Sequence, residues 1–358
     1  MNTVSLPPDN SGTSGVMMLY RKTAFLVGMY LMVIMILRYF GAFTVELIHE
    51  KLLGPLGSER SYTLELIASG TFIQILPSVV GAFMFGYIGK NAKGLKSLYT
   101  IPKSNTRAIG NISAVYGFAQ MANIITVIVT FFLTRNASID KTLNTVVDSE
   151  SYGPLAIGML FALLVFIAPI FEEFMFRGLI LNALKPYGNG LAIFVSGIFF
   201  GVFHCNFQQC FYAAAAGIAL GYIANVTGSV FPTTVIHMIM NSLSGFMILL
   251  MHTGSVQKYI LGGSEENIPD QDMIWIALFG IYMVCLFIFI VIGFVSAVRK
   301  IIKIKKFRTA KVWGEVGNPK KVFILLMTVP MIITIILFID TYSGFSSSLI
   351  KKLVTGDM

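Results

Sequence analysis

The sequence predicts an all-α fold, a polytopic transmembrane bundle of about eight to nine membrane helices. Three observations carry this. Of the 358 residues, 56% are hydrophobic and only 12% charged, with a mean hydropathy of +0.78, too apolar for a soluble domain of this length. Apolar runs of helix-spanning character recur along the whole chain. The lysines and arginines behind the formal charge of +9 crowd into the loops between those runs. That is the pattern of membrane topology, so the lipid bilayer is the expected partner and nucleic acid is not.

The runs occupy approximately Ala24 to Phe43, Leu64 to Ile88, Ala108 to Leu133, Pro154 to Leu184, Leu191 to His204, Phe211 to Val226, Phe231 to Met251, Met273 to Ala297 and Val322 to Ile339. The first follows Arg21 and Lys22 and has no small-residue cleavage site, so it reads as a retained helix. Residues 1–20, with Pro7, Pro8, Asp9 and Asn10, read as a polar tail and residues 21–298 as the membrane bundle. Residues 299–321 form a basic cytoplasmic connection, and residues 322–358 a C-terminal helix and tail. Lys90, Lys93, Lys96, Lys103 and Arg107 mark one cytoplasmic loop, and the Arg299 to Lys321 segment another. The loops Glu46 to Arg60, Asp140 to Glu150 and Glu265 to Asp272 are balanced or acidic and fall on the opposite side. The expected location is a multi-pass cell membrane with the N-terminus inside. The abundance of lysine and isoleucine points to a bacterial plasma membrane. Cys205, Cys210 and Cys285 are too few for a disulfide framework; free thiols are expected, with a Cys205–Cys210 pair open on an oxidising face.

Inside these runs lie charges that need a reason to be there. Glu172, Glu173 and Arg177 sit in the fourth run, where a charge costs on the order of 2.5–3.5 kcal/mol or more at a helix centre. Glu173 and Arg177 are four apart and stack on one helical face, whereas Glu172 is turned about 100° away. One glutamate is therefore expected to be paired and the other free. His237 and Asn241 repeat the four-residue spacing and can point into one cavity, as do Phe200 and His204 at the end of the fifth run. Ala213, Gly217 and Gly221, also four apart, let a neighbouring helix approach closely.

A carboxylate and a histidine in one cavity can orient and deprotonate a water, and a second histidine with an asparagine can donate to a developing oxyanion. These are the parts of a peptide-bond hydrolase, without the serine or cysteine motif of nucleophilic catalysis. Glu172-Glu173-x-x-x-Arg177, Phe200-x-x-x-His204 and His237-x-x-x-Asn241 together resemble the three motifs of the CAAX-protease and bacteriocin-processing (CPBP) intramembrane proteases, over a core at about residues 154–245. The resemblance implies an intramembrane endopeptidase acting on a prenylated protein or a bacteriocin-like or signal peptide. It assigns Glu172 as general base, His204 to the attacking water, His237 and Asn241 to the oxyanion, and Glu173 with Arg177 to bracing the helix. Members have been called metalloproteases, and Glu172, His204 and His237 can in principle supply three zinc ligands. A glutamate-activated water needs fewer assumptions, so no cofactor is expected. Two other classes fit a buried acid and imidazoles: a non-catalytic immunity or peptide-binding membrane protein, and an ion-coupled transporter, for which no inverted repeat is evident.

Overall fold

The computed structural model describes residues 13–56, 58–86, 97–101, 112–134, 154–205, 207–251, 270–303, 318–343, 348 and 352. They form α1 (Thr13–Leu56), α2 (residues 58–84), α3 (Ile112–Thr134), α4 (Pro154–Tyr187) and α5 (Asn189–Phe203). The chain continues as α6 (Phe207–Thr227), α7 (Phe231–Met251), α8 (Asp270–Lys303), α9 (Asn318–Leu326) and α10 (Val329–Ser343). No strand occurs among the described residues. Each apolar run of the sequence is found as a helix, and the chain is an all-α, multi-pass membrane bundle. Five described helices are long and apolar enough to cross a membrane, or six if the bent pair α9–α10 counts as one. The short α5, at 1.5 Å per residue, reaches only about 22 Å.

Several boundaries differ from the sequence reading: α1 runs on to Leu56 and α2 starts at Ser58, through the expected loop Glu46 to Arg60, and α8 and α9 extend to Lys303 and from Asn318 into the expected basic connection. Helix α1 starts at Thr13, inside the expected polar tail, and its buried side chains begin at Tyr20. Tyr20 is 1% exposed and donates to the Lys321 carbonyl at 2.7 Å, and Tyr20, Ala24, Val27, Leu31 and Ile34 continue one buried stripe. The last run is broken at Met327–Thr328, where α9 and α10 meet at 74°. Pro330 has no N–H for the Leu326 carbonyl, and the Thr328 hydroxyl takes the Leu325 carbonyl instead, at 3.0 Å. The basic and acidic loop segments 87–96, 102–111, 135–153, 252–269 and 304–317 lie outside the described residues.

Two apolar clusters hold the helices around α4. One joins α1, α4, α5 and α10 through Tyr30, Phe176, Leu181, Leu191, Phe203 and Met331. The other joins α3, α6 and α7 through Tyr116, Leu220 and Ile236, with Phe289 of α8 packed on it. Helices α5 and α6 touch backbone to backbone: a Cβ on Gly197 would lie 2.6 Å from the Ile218 nitrogen, and one on Gly217 2.8 Å from the Gly197 oxygen. Gly217 thus makes the close approach expected of it. Gly221 does not, since its Cβ would meet Leu181 and Ile193 side chains at an ordinary 3.4 and 3.6 Å.

Three π-helical segments interrupt the α-helices, at Thr71–Ile75 in α2 and at Leu163–Ile167 and Phe174–Leu181 in α4. The first two each end just before a proline, Pro77 and Pro169. A proline lacks the N–H and clashes with the carbonyl four residues back, and a wider turn relieves the clash. Gln74, Glu172, Glu173 and Arg177 sit on these segments or next to them.

Candidate active site

The two adjacent glutamates have separate partners. Arg177 donates to Glu173 Oε1 at 2.8 Å, and both side chains are 0% exposed. The guanidinium is fixed further by a bond to the Gly217 carbonyl at 3.0 Å and by stacking 4.4 Å over the Phe200 ring. Glu172, one residue back and so on another face, takes no part in that pair. Its Oε1 accepts 2.8 Å from Nε2 of Gln74 on α2, and its Oε2 faces Nε2 of His237 at 3.8 Å.

His237 bridges the two acids. Its Nδ1 lies 3.1 Å from Glu173 Oε1, so Nδ1–H donates to the paired carboxylate and Nε2 is turned to Glu172. His204 is held in the same sense, by Nδ1 on the Phe200 carbonyl at 2.8 Å; a carbonyl only accepts, so Nδ1 carries the proton and Nε2 is the open edge. The Phe200 ring joins the two imidazoles, with centroids 5.0 Å from His204 and 5.6 Å from His237. His204 is also within electrostatic reach of Glu172 and His237. Asn241 Nδ2 donates to the Leu164 carbonyl at 2.9 Å. That carbonyl lies in the π segment where Pro169 withholds an N–H, so the carboxamide caps an otherwise orphaned acceptor.

The structure therefore gathers Glu172, Glu173, Arg177 and His237 into one buried network, sets the half-buried His204 beside it across the Phe200 ring, and places Asn241 one turn beyond His237, against α4. Two residues of the network escaped the sequence reading. Gln74 is buried in an apolar run. Arg38, inside the first apolar run, donates to the Phe203 and His204 carbonyls at 2.9 and 3.3 Å and so caps the end of α5. An intramembrane charge or carboxamide is itself the signal that could have found both. Beyond His204 the chain turns through Cys205 at φ +50°, a left-handed conformation that ends the helix. Cys205, Cys210 and Cys285 are free thiols.

The zinc alternative needs Glu172, His204 and His237 around one ion. Among the described residues no three His, Cys, Asp or Glu side chains gather closely enough to hold a metal. In this arrangement the three side chains are not close enough together for one ion, and no step is derived through one.

By its fold and site the chain is a multi-pass helical membrane protein whose core buries two adjacent glutamates, an arginine and a histidine. Residues 154–243 match the family model described as Type II CAAX prenyl endopeptidase Rce1-like, and over that segment the chain is similar to this family. The match spans α4 to α7, with Glu172, His204, His237 and Asn241 inside it; Arg38 and Gln74 lie outside. No curated protein and no solved structure matches the chain.

Proposed function

We propose that the chain is an intramembrane endopeptidase that hydrolyses a peptide bond near the end of a membrane-associated substrate, a prenylated CAAX-type protein or peptide, with a water activated by Glu172. The observation that carries this is the division of labour between neighbouring acids. Glu173 is neutralised by Arg177, whereas Glu172 is held at one oxygen by Gln74 and turns the other to His237 at 3.8 Å. A purely structural pair would need only one carboxylate for its arginine.

In this reading Glu172 Oε2 takes one proton from the water while the remaining O–H donates a hydrogen bond to Nε2 of His204, and the hydroxide oxygen attacks the carbonyl carbon; the proton it keeps is released to solvent from the product acid. The charge that forms on the carbonyl oxygen is met by the second N–H of Asn241 and by Nε2–H of His237 in its imidazolium form, with Glu173 as counter-charge at Nδ1. Glu172 then passes its proton to the amide nitrogen as the C–N bond breaks, releasing a carboxylate and an amine. The residues of this scheme lie on α2, α4, α5 and α7 among apolar side chains, which suits a substrate delivered by a lipid anchor.

The test is cleavage of a fluorogenic prenylated CAAX peptide by detergent-purified protein, with the unprenylated peptide alongside. Glu172→Gln is expected to abolish cleavage at unchanged yield of folded protein. Wild-type turnover in that variant refutes the assigned base. Equal turnover of both peptides refutes the lipid-anchored substrate class.

A further inference from the structure

Helix α2 lies outside the family-matched segment, yet it places a side chain directly on the acid of the site. Gln74 is 7% exposed and donates from Nε2 to Glu172 Oε1 at 2.8 Å, across 98 residues of sequence. It sits in the π segment Thr71–Ile75, and π segments in helices recur at functional sites. Its amide oxygen is buried with no hydrogen-bond partner among the described residues. A methionine or leucine would fill the same space without stranding an acceptor, so packing alone does not explain a glutamine here. With Glu172 ionised, as a general base requires, the amide turns its N–H to the carboxylate, because its oxygen would otherwise face a second acceptor.

Resting on the reading of Glu172 as general base, we infer that Gln74 is the positioning residue of that base. Its N–H pins one carboxylate oxygen, which fixes the carboxylate plane so that the other faces His237. The other groups around Glu172 are His237 on α7, His204 on α5, and Glu173 and Arg177 on α4 itself. Tyr99, whose hydroxyl donates to the Ile170 carbonyl at 3.3 Å, faces Glu173. Of these, none but Gln74 is seen to donate a hydrogen bond to Glu172.

The experiment compares Gln74→Met, close in length but without donors, with Gln74→Glu, the same shape with a second acid, in the full-length protein on the prenylated peptide. Gln74→Met is expected to lower kcat roughly 10–100-fold with little change in KM, as loss of a charge-assisted hydrogen bond implies. The acid limb of its pH–rate profile moves to higher pH, because the lost donor stabilised the carboxylate. In Gln74→Glu the limb moves further, since two adjacent carboxyls retain a proton between them. Thermal midpoint and yield stay near wild type. Wild-type kcat and pH profile in both variants overturn the inference, as does a loss of activity that follows the loss of folded protein with the profile unmoved. Should Gln74→Met not fold, the isosteric Gln74→Glu decides by its pH profile alone. Glu172→Gln run in parallel separates the two levels: if it retains turnover, the base assignment and this inference fall together. If it is dead while the Gln74 variants are wild-type, the inference alone falls.

Discussion

The central pairing is Arg177 with Glu173, two fully buried opposite charges four residues apart on α4. Removing one partner leaves a buried charge uncompensated, which costs on the order of 3–5 kcal/mol, whereas replacing both can be nearly neutral. Glu173→Gln is therefore expected to lower both the yield and the thermal midpoint of purified protein. The double variant Glu173→Gln with Arg177→Met regains yield but not activity, because His237 Nδ1 has lost the carboxylate that orients it. Thermal melts beside peptide cleavage test this, and a Glu173→Gln protein as stable as wild type would show that the pair is not needed for folding. Arg38 makes a complementary point. Its guanidinium is held by two main-chain carbonyls at the end of α5, and from there it also lies within electrostatic reach of the His204 ring.

Between elements, precision at the site depends on how closely α5 and α6 approach. Gly217 offers its carbonyl to Arg177 while its Cα lies against Gly197, so the spacing of two helices sets where the guanidinium rests and hence where Glu173 rests. Gly197→Val forces a Cβ to 2.6 Å from the Ile218 nitrogen, and the backbones must part. Overpacking of this sort costs about 1–3 kcal/mol. A lower thermal midpoint and a lower kcat are expected together, because the Arg177 contact opens as the helices separate. Gly221→Ala is the control, since its Cβ finds ordinary contacts at 3.4 Å and beyond. Equal midpoints for the two variants would mean that the contact does not set the helix spacing. The π segments act at the same scale: the turn before Pro169 frees the Leu164 carbonyl that Asn241 takes up, which docks α7 on α4 beside the imidazoles.

At the scale of the whole molecule, what was legible in sequence divides along the range of the interaction. Glu173 with Arg177, and the shared face of His237 and Asn241, follow from helical periodicity within one element and were readable at once. Gln74 on Glu172 and Arg38 on the end of α5 join residues 98 and 165 positions apart, and no periodicity reports such a meeting. The bend between α9 and α10 was signalled by Pro330 inside an apolar run and was overlooked, whereas the burial of Tyr20 depends on Lys321 at the far end of the chain. Orientation is the remaining property of the whole. Short contacts gather the ends of several helices on one side of the bundle: Lys321 Nζ on the Tyr187 carbonyl at 2.7 Å, Thr23 with Tyr187 at 2.9 Å, and Ser229 on the Thr100 carbonyl at 2.6 Å. Arg21, Lys22, Lys185 and Lys320 belong to the same side, and Arg299 near the end of α8 follows from the alternation of helices. Positive charge favours the cytoplasm, so this side is expected to be inside and the α1–α2 connection outside. In a background with Cys205, Cys210 and Cys285 replaced, Lys22→Cys and Arg299→Cys should resist an impermeant maleimide in intact cells and react after lysis. Glu50→Cys, exposed near the end of α1, should react from outside. The opposite pattern would invert the bundle, and with it the leaflet from which a lipid-anchored substrate reaches Glu172.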